Sequence, residues 1–199
     1  MKKDILICGV GGQGTVLASK ILAAAAMSAG ETVHSAETIG MAQRGGPVTS
    51  HVRIGDDAYS PLIPNGAADL ILAFEPAEAV RNLGYLKKDG LVIVNSVPTM
   101  PVTESLNPSG YDGKEMIAFL GKNVRCIVID AEELCTPFKS SRYFNIAILG
   151  VAAGAGKLGI DRETLLSEIE KRVPERYLET NKAAFLAGAE IGEQYAVNS

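Results

Sequence analysis

The chain has little cysteine, and the spacing of the cysteines argues against the metal centres that cysteine usually builds. Its 199 residues include three cysteines, Cys8, Cys126 and Cys135, and no two of them form a Cys-x-x-Cys pair. Neither a zinc site nor an iron–sulfur cluster is supported by this pattern. Cys8 and Cys126 lie inside apolar segments, so we interpret them as small buried hydrophobic residues. The odd number of thiols also fits a reducing compartment.

The chain also lacks a concentration of positive charge and a long hydrophobic run. The formal net charge is −4, and no cluster of lysine and arginine suggests nucleic-acid binding. The longest apolar stretches contain Lys20 or several glycines, and they are too short to span a bilayer. The first residues enter a strand-like run directly, without the pattern of a signal peptide. We therefore expect a cytoplasmic protein that binds neither nucleic acid nor membrane.

The hydrophobic content of the chain suits one core of ordinary size. Hydrophobic residues make up 47% of the chain, which favours a single domain over residues 1–199 and excludes disorder. Short apolar runs alternate with segments of helical periodicity, and this predicts an α/β fold with a doubly wound, mostly parallel sheet and a helical C-terminal third. The predicted strands cover 5–8, 32–36, 69–74, 91–95 and 124–130, and the predicted helices cover 13–28, about 75–88, about 113–120, about 142–157, 162–171 and about 175–195.

The segment 48–55 has a different period from the other strands. Apolar or small residues alternate there with polar ones, which is typical of a strand with one solvent-facing side. This pattern predicts an antiparallel strand, as in a hairpin. His51 and Arg53 should face the same side of this strand. A lone histidine is either a structural hydrogen-bonding residue, which we favour, or a general base.

A glycine-rich turn follows the first predicted strand and opens the first predicted helix. Its glycines match G-x-G-x-x-G, and a helix N-terminus offers free N–H groups and a partial positive charge that suit phosphate. Two interpretations stay open: the turn binds a phosphate or nucleotide, or its glycines only permit close packing of strand and helix. Glu37 lies roughly where a ribose-binding acid would sit. The candidate cofactor-binding residues of this turn are Gly9, Gly11, Gly12, Gln13 and Gly14.

Two further polar residues occupy positions where a ligand or a structural role would each make sense. Glu75 follows the strand 69–74, so its carboxylate either faces the ligand crevice of an open α/β sheet or caps the helix that begins at Pro76. Asn145 lies in a predicted helix and is interpreted as a polar residue of helix packing.

A second glycine-rich segment, residues 40–47, leads into the strand at 48–55. Gln43 offers amide donors, and the planar guanidinium of Arg44 suits a carboxylate or a phosphate. Alternatively, Arg44 pairs with an acidic residue of this chain or of a partner. The candidate cofactor-binding residues of this segment are Gln43, Arg44, Gly45 and Gly46.

The two glycine-rich segments together resemble a known family. Gly-Val-Gly-Gly-Gln-Gly, then Gly-Met-Ala-Gln-Arg-Gly-Gly and a His-Val-Arg strand are similar to the γ-type subunits of 2-oxoacid:ferredoxin oxidoreductases, and in particular to the β subunit of the indolepyruvate enzymes. The likeness continues through residues 69–75, the helix with Asn145, and the helix at 181–185. Pro47 stands where many relatives have serine or another small residue.

The resemblance implies a Rossmann-like fold and a division of labour between subunits. Such complexes oxidatively decarboxylate a 2-oxoacid, here an indolepyruvate or another aryl pyruvate, to an acyl-CoA and pass the electrons to ferredoxin. Thiamine diphosphate and the iron–sulfur clusters lie on a larger α-type partner subunit, and CoA is a co-substrate. The chain itself would carry no catalytic residue of its own, no cluster and no metal, and would be inactive alone. Its glycine-rich loops would contact CoA, thiamine diphosphate or only the partner.

Two other functions are compatible with the same sequence. One is a stand-alone NAD(P)- or FAD-binding protein, which the first glycine-rich turn by itself would allow. The other is an interaction module that keeps the scaffold without taking part in turnover.

Overall fold

A computed structural model of the chain describes residues 1–40, 45–56, 58–100 and 110–197, and within them a mixed sheet carries helices on both faces. The strands are β1 (Lys3–Val10), β2 (Val33–Ile39), β3 (Pro47–Ile54), β4 (Ala68–Ala73), β5 (Leu86–Asn95) and β6 (Arg125–Ile129). The helices are α1 (Thr15–Ser28), α2 (Pro76–Arg81), α3 (Lys114–Asn123), α4 (Ala131–Cys135), α5 (Phe144–Gly154), α6 (Arg162–Arg172) and α7 (Leu178–Val197), and short 3₁₀ turns cover Leu83–Tyr85, Thr136–Phe138, Ser141–Tyr143 and Glu175–Tyr177.

The strand order is β2-β3-β1-β4-β5-β6. The four strands β1, β4, β5 and β6 run parallel, whereas β3 lies antiparallel to both β1 and β2. The predicted α/β fold with a mostly parallel sheet is therefore confirmed, and so are the helical C-terminal third and the antiparallel strand at 48–55.

The core has one layer on each face of the sheet, because successive side chains of a strand point to opposite faces. Ile5 and Ile7 pack with α1, α5 and α6 on one face. Leu6 and Cys8 pack on the other face with side chains of α2 and α3. Strand β1 is thus buried on both sides, which explains its continuous apolar sequence. Cys8 is fully buried, as expected, and burial raises the pKa of its thiol.

Helices α5 and α7 cross in direct backbone contact. At Gly150 and Gly154 of α5 a Cβ atom would overlap the carbonyl oxygens of Phe185 and Ala189 in α7. Gly188 and Gly192 of α7 meet α5 in the same way. Only glycine permits this approach, so four glycines fix how deeply the two helices pack.

The predicted helix over 75–88 is wrong in its second half. Helix α2 ends at Arg81, and β5 already begins at Leu86, which pairs with Ala68 of β4. Lys87 forms an ion pair with Asp69 of the same neighbouring strand. Pairing with β4 therefore extends β5 backwards over residues that the local sequence assigns to a helix. The short helix α4 was not predicted.

The described helices include none that is both long enough and apolar enough to cross a lipid bilayer.

We expect Gly154→Ala to lower the free energy of unfolding by about 2 to 3 kcal/mol, because the added methyl group forces α5 and α7 apart. Urea-induced unfolding followed by circular dichroism would measure the change. Gly121→Ala is the matched control, since a Cβ at Gly121 of α3 meets no atom within 4 Å. That variant should be slightly stabilised, by about 0.5 to 1 kcal/mol, and equal destabilisation of both variants would contradict the close-contact explanation.

Candidate functional site

The two glycine-rich segments meet at the carboxyl end of β1. The antiparallel register of β1 and β3 places Val10 opposite Pro47. One step further, the N–H of Gly11 donates to the carbonyl of Gly46 at 2.8 Å, and the N–H of Gly45 donates to the carbonyl of Gly11 at 3.3 Å. The structure thus brings together candidate residues that are far apart in sequence. Gln43 and Arg44 lie outside the described residues.

A cleft of about 350 Å³ opens beside this junction. Its walls follow the carboxyl ends of β1, β4, β5 and β6, which is where ligands bind in open α/β sheets. The polar side chains of the lining are those of Gln13, Asn95, Thr99, Glu132, Ser141, Arg142 and Asn145. The volume lies at the lower end of the range of small-molecule sites.

The glycines of the first turn have different roles. A Cβ at Gly9 would collide with Gln13 and Phe74, so this glycine serves close packing inside the fold. Gly12 has a φ of +104° and open space where a Cβ would stand. It lines the cleft, so the backbone at Gly12 is accessible to a ligand or a partner. The packing interpretation therefore applies to Gly9, whereas ligand binding by the turn stays a prediction, for which Gly12 has the open space.

Gln13 uses its amide to hold the strand ends together. Its Oε1 accepts the N–H of Val10 at 2.8 Å, and its Nε2 donates to the carbonyl of Phe74 at 3.0 Å and to Oγ1 of Thr99 at 2.9 Å. These bonds join the turn after β1 to the ends of β4 and β5. Gln13 lines the cleft, but most of its hydrogen-bonding capacity is already used.

Asn95 at the end of β5 has a similar role. Its Nδ2 donates to the carbonyls of Phe74 and Val97, and its Oδ1 accepts the N–H groups of Val97 and Ala131. The amide of Asn95 is therefore satisfied within the protein and fixes the loop between β5 and the next segment.

Glu75 caps α2, which decides between the two roles considered for it. Its Oε2 accepts the N–H of Glu78 at 3.0 Å, and the hydroxyl of Tyr111 donates to its Oε1 at 2.5 Å. The side chain is buried. Burial raises the pKa of this carboxyl group, while the hydrogen bonds from Tyr111 and from backbone N–H groups lower it in part.

His51 is a structural hydrogen-bond acceptor. Its Nδ1 accepts the N–H of Ile63 at 3.1 Å, and its ring meets the edge of Tyr85. Burial, followed by the charge of Arg53, lowers the pKa of His51 and keeps the ring neutral. Arg53 lies on the same side of the strand, as predicted, and forms a buried ion pair with Asp4 at 2.7 Å.

Glu37 does not occupy the place of a ribose-binding acid. It lies on β2, which β3 separates from β1, and it pairs in register with Ser50. In a dinucleotide-binding sheet the corresponding strand is the parallel neighbour of the first strand. The insertion of β3 moves the acid away from that position.

The sequence prediction missed the contribution of residues 141–145 to the cleft. Ser141 and Arg142 form a 3₁₀ turn that runs into α5, and Asn145 lies in the first turn of that helix. The sequence predicts the helix from about residue 142, and the hydroxyl of Ser140 accepts the N–H of Arg142 just before it, which is a typical signal of a helix start. Only the tertiary structure places this helix start opposite the end of β1.

Among the described residues, no group of three or more His, Cys, Asp or Glu side chains is arranged to hold a metal ion.

Comparison with known proteins gives a consistent result. A family model described as "Pyruvate ferredoxin/flavodoxin oxidoreductase" matches residues 4–191. The indolepyruvate oxidoreductase subunit IorB of Pyrococcus horikoshii is 36% identical over 194 residues, which cover 96% of each chain.

Two solved structures share the fold. The pyruvate oxidoreductase subunit PORC of Thermotoga maritima superposes with a TM-score of 0.70 and 26% identity, covering 95% of this chain and 96% of that one. The 2-oxoglutarate:ferredoxin oxidoreductase of Magnetococcus marinus has a TM-score of 0.75 and 20% identity. This chain is covered to 97% there but corresponds to only 31% of that longer chain.

We expect Gln13→Ala to lower the free energy of unfolding by about 2 kcal/mol, because it leaves the N–H of Val10 and the carbonyl of Phe74 without this partner. Thermal unfolding would measure the loss. Lys20→Ala on the exposed side of α1 is the control and should change stability by less than about 0.5 kcal/mol. A Gln13 variant as stable as the control would show that this amide does not hold the strand ends.

The raised pKa of Glu75 predicts a pH-dependent stability. The folded state disfavours the ionised carboxylate, so the contribution of Glu75 is fully present below its unfolded pKa of about 4.5 and is lost as the pH rises through its folded pKa. Relative to Glu75→Gln, the wild type should therefore lose stability with rising pH. Chemical unfolding between about pH 4 and pH 8 would measure this. A difference that stays constant, or that moves in the opposite direction, would contradict the assignment.

Proposed function

Because this chain belongs to the pyruvate ferredoxin/flavodoxin oxidoreductase family, we propose that it is the small subunit of an indolepyruvate ferredoxin oxidoreductase. The observation that carries this proposal is the match to an indolepyruvate oxidoreductase subunit over 96% of both chains. The match runs from end to end, so it relates this chain to a separate subunit of an oxidoreductase. We take residues 1–199 as one domain and place it in the cytoplasm.

The proposed reaction is the oxidative decarboxylation of an aryl pyruvate. The carboxyl group leaves as CO₂, the acyl group is transferred to CoA, and a pair of electrons passes to ferredoxin. The larger partner subunit supplies thiamine diphosphate and the iron–sulfur clusters. This chain contributes no cluster ligand and is inactive alone.

The junction of the two glycine-rich segments is the part of this chain that we assign to the shared active-site region. Hydrogen bonds between Gly11 and the pair Gly45 and Gly46 hold the junction in place. Next to this junction, the backbone of Gly12 is accessible, because no atom lies within 4 Å of the position that a Cβ would occupy. We propose that these glycines, with Gly14, Gln43 and Arg44, contact CoA, thiamine diphosphate or the partner subunit. Gly9 supports these residues by close packing inside the fold, and Gln13 supports them by accepting the N–H of Val10.

The order of the strands in the sheet bears on the competing function of nucleotide binding. A stand-alone NAD(P)- or FAD-binding protein would need an acid at the second strand to hold the ribose, and β3 occupies that place in the sheet. No observation favours that function.

The test is reconstitution of the complex. Co-expression of this chain with a thiamine-dependent, cluster-bearing partner should give CoA-dependent dye reduction with indolepyruvate, whereas neither subunit alone should turn over. Pyruvate and a branched-chain 2-oxoacid serve as competing substrates and should react more slowly. Turnover by this chain alone would contradict the proposal, and faster turnover with pyruvate would contradict the choice of substrate.

A matched pair of variants tests the role of the junction. Gly12→Val and Gly66→Val both force a side chain onto a glycine with positive φ and free space around it, at +104° and +72° respectively. Only Gly12 lies at the cleft. We expect turnover of the complex to fall at least about tenfold for Gly12→Val, because small displacements at an active site are costly. Gly66→Val should retain turnover, and equal effects of the two would argue against the junction.

A further inference from the structure

A second cavity lies at the opposite end of the sheet from the cleft. Its volume is about 430 Å³, which lies within the range of small-molecule sites. It forms where β5 and β6 begin, with Leu91 paired to Arg125 across the two strands. Residues just after the end of α5 and in the last turn of α7 complete its described lining. Neither glycine-rich segment contributes to this lining, so the cavity needs an explanation of its own.

One part of the wall of this cavity is apolar. The apolar residues of the lining are Leu91, Ile127, Ala155 and Ala196, and Tyr195 adds an aromatic ring that is 39% exposed. Such a wall stabilises the apolar part of a ligand, because binding removes apolar surface of both from water. The wall therefore favours an organic ligand with an aromatic or aliphatic body over a bare inorganic ion.

Two cationic side chains give the cavity a positive charge. Arg125 begins β6 and is exposed, whereas Lys157 follows α5 and is half-buried. Neither side chain forms a hydrogen bond or an ion pair with a residue that the structure describes. The described lining also contains no aspartate or glutamate. Charged groups that are removed from water are normally paired, so an anionic ligand would supply the missing partner.

The C-termini of α5 and α7 oppose an anion, because both helices end at this cavity. A helix C-terminus carries about half a negative elementary charge, so the two ends together offset roughly one of the two full positive charges. The N–H groups of Ala155, Gly156 and Lys157 donate to carbonyls in the last turn of α5, which reduces the opposing charge further. Stabilisation of the helix ends therefore accounts for one cation and leaves the other for a ligand.

We propose that this cavity binds a small aromatic carboxylate, whose charge is held by Arg125 and Lys157 and whose ring packs on the apolar wall beside Tyr195. The planar fork of a guanidinium matches the two oxygens of a carboxylate, and an ammonium group adds a point charge. Helix α5 runs from Asn145 at the cleft to Ala155 at this cavity, a distance of about 15 Å along its axis. A ligand here would therefore not compete with one in the cleft. The inference goes beyond the proposed function and does not depend on it.

Isothermal titration of the purified full-length chain with phenylacetate tests the proposal. We expect saturable binding at one site, which Arg125→Gln and Lys157→Gln each weaken about tenfold. Phenylacetamide has nearly the same shape without the charge, and acetate has the charge without the ring. Each should bind at least about tenfold more weakly than phenylacetate, because each loses one of the two contributions.

Two variants serve as matched controls. Lys122→Gln removes an exposed lysine at the end of α3, outside the described lining of the cavity. Arg142→Gln removes an exposed arginine of the cleft, at the other end of the sheet. Both variants lose one positive charge, as Arg125→Gln and Lys157→Gln do, and both should leave phenylacetate binding unchanged.

Several outcomes would overturn the proposal. Absence of saturable phenylacetate binding by the wild type would do so, as would binding that Arg125→Gln and Lys157→Gln leave intact. An equal loss in Lys122→Gln would show general attraction of anions, and a loss in Arg142→Gln alone would place the ligand in the cleft instead. Inorganic phosphate that binds as tightly as phenylacetate would show an anion site without preference for an aromatic body. The titration uses no partner subunit, so failure of reconstituted dye reduction would not affect its result.

Discussion

The antiparallel ladder between β1 and β3 is the interaction on which the site depends. It continues past the end of β1 as hydrogen bonds between Gly11 and the pair Gly45 and Gly46. A ladder fixes register, and a slip by one residue would turn every side chain of β3 to the other face of the sheet. Because β3 is buried on the α1 side through Val48, Val52 and Ile54, its register is fixed by the core. The burial of apolar side chains in the sheet thus sets the relative position of two glycine-rich segments at its edge.

Hydrogen bonds between strand ends then keep the floor of the cleft rigid. Gln13 joins β1 to β4 and to the segment after β5, and Asn95 joins β4 and β5 to the start of α4. Glu75 adds a capped helix start and a bond to Tyr111. Each of these groups is buried or partly buried, so each bond is protected from competition with water. These internal bonds therefore fix the positions of the side chains that form the floor of the cleft.

The far side of the cleft depends on the C-terminal helices. Glycines on both helices bring α5 and α7 into backbone contact, and Phe144 at the start of α5 packs edge-on against Phe74 at the end of β4, with ring centroids 5.7 Å apart. These contacts place residues 141–145 opposite the N-terminus of α1.

The sequence by itself determined the class of the fold and the apolar centres of the strands. A buried parallel strand is a short apolar run, whereas apolar and polar residues alternate in a strand with one side facing solvent. It also determined the two glycine-rich segments, whose composition is local. It placed the end of α2 wrongly, because pairing of Leu86 with Ala68 outweighs local helical preference. Only the tertiary structure decided that Gly9 serves packing while Gly12 is open, that Glu75 caps a helix, and that Asn145 lines the cleft. Those outcomes depend on which groups meet across long sequence separations, and the pattern of a single segment carries no information about its distant neighbours.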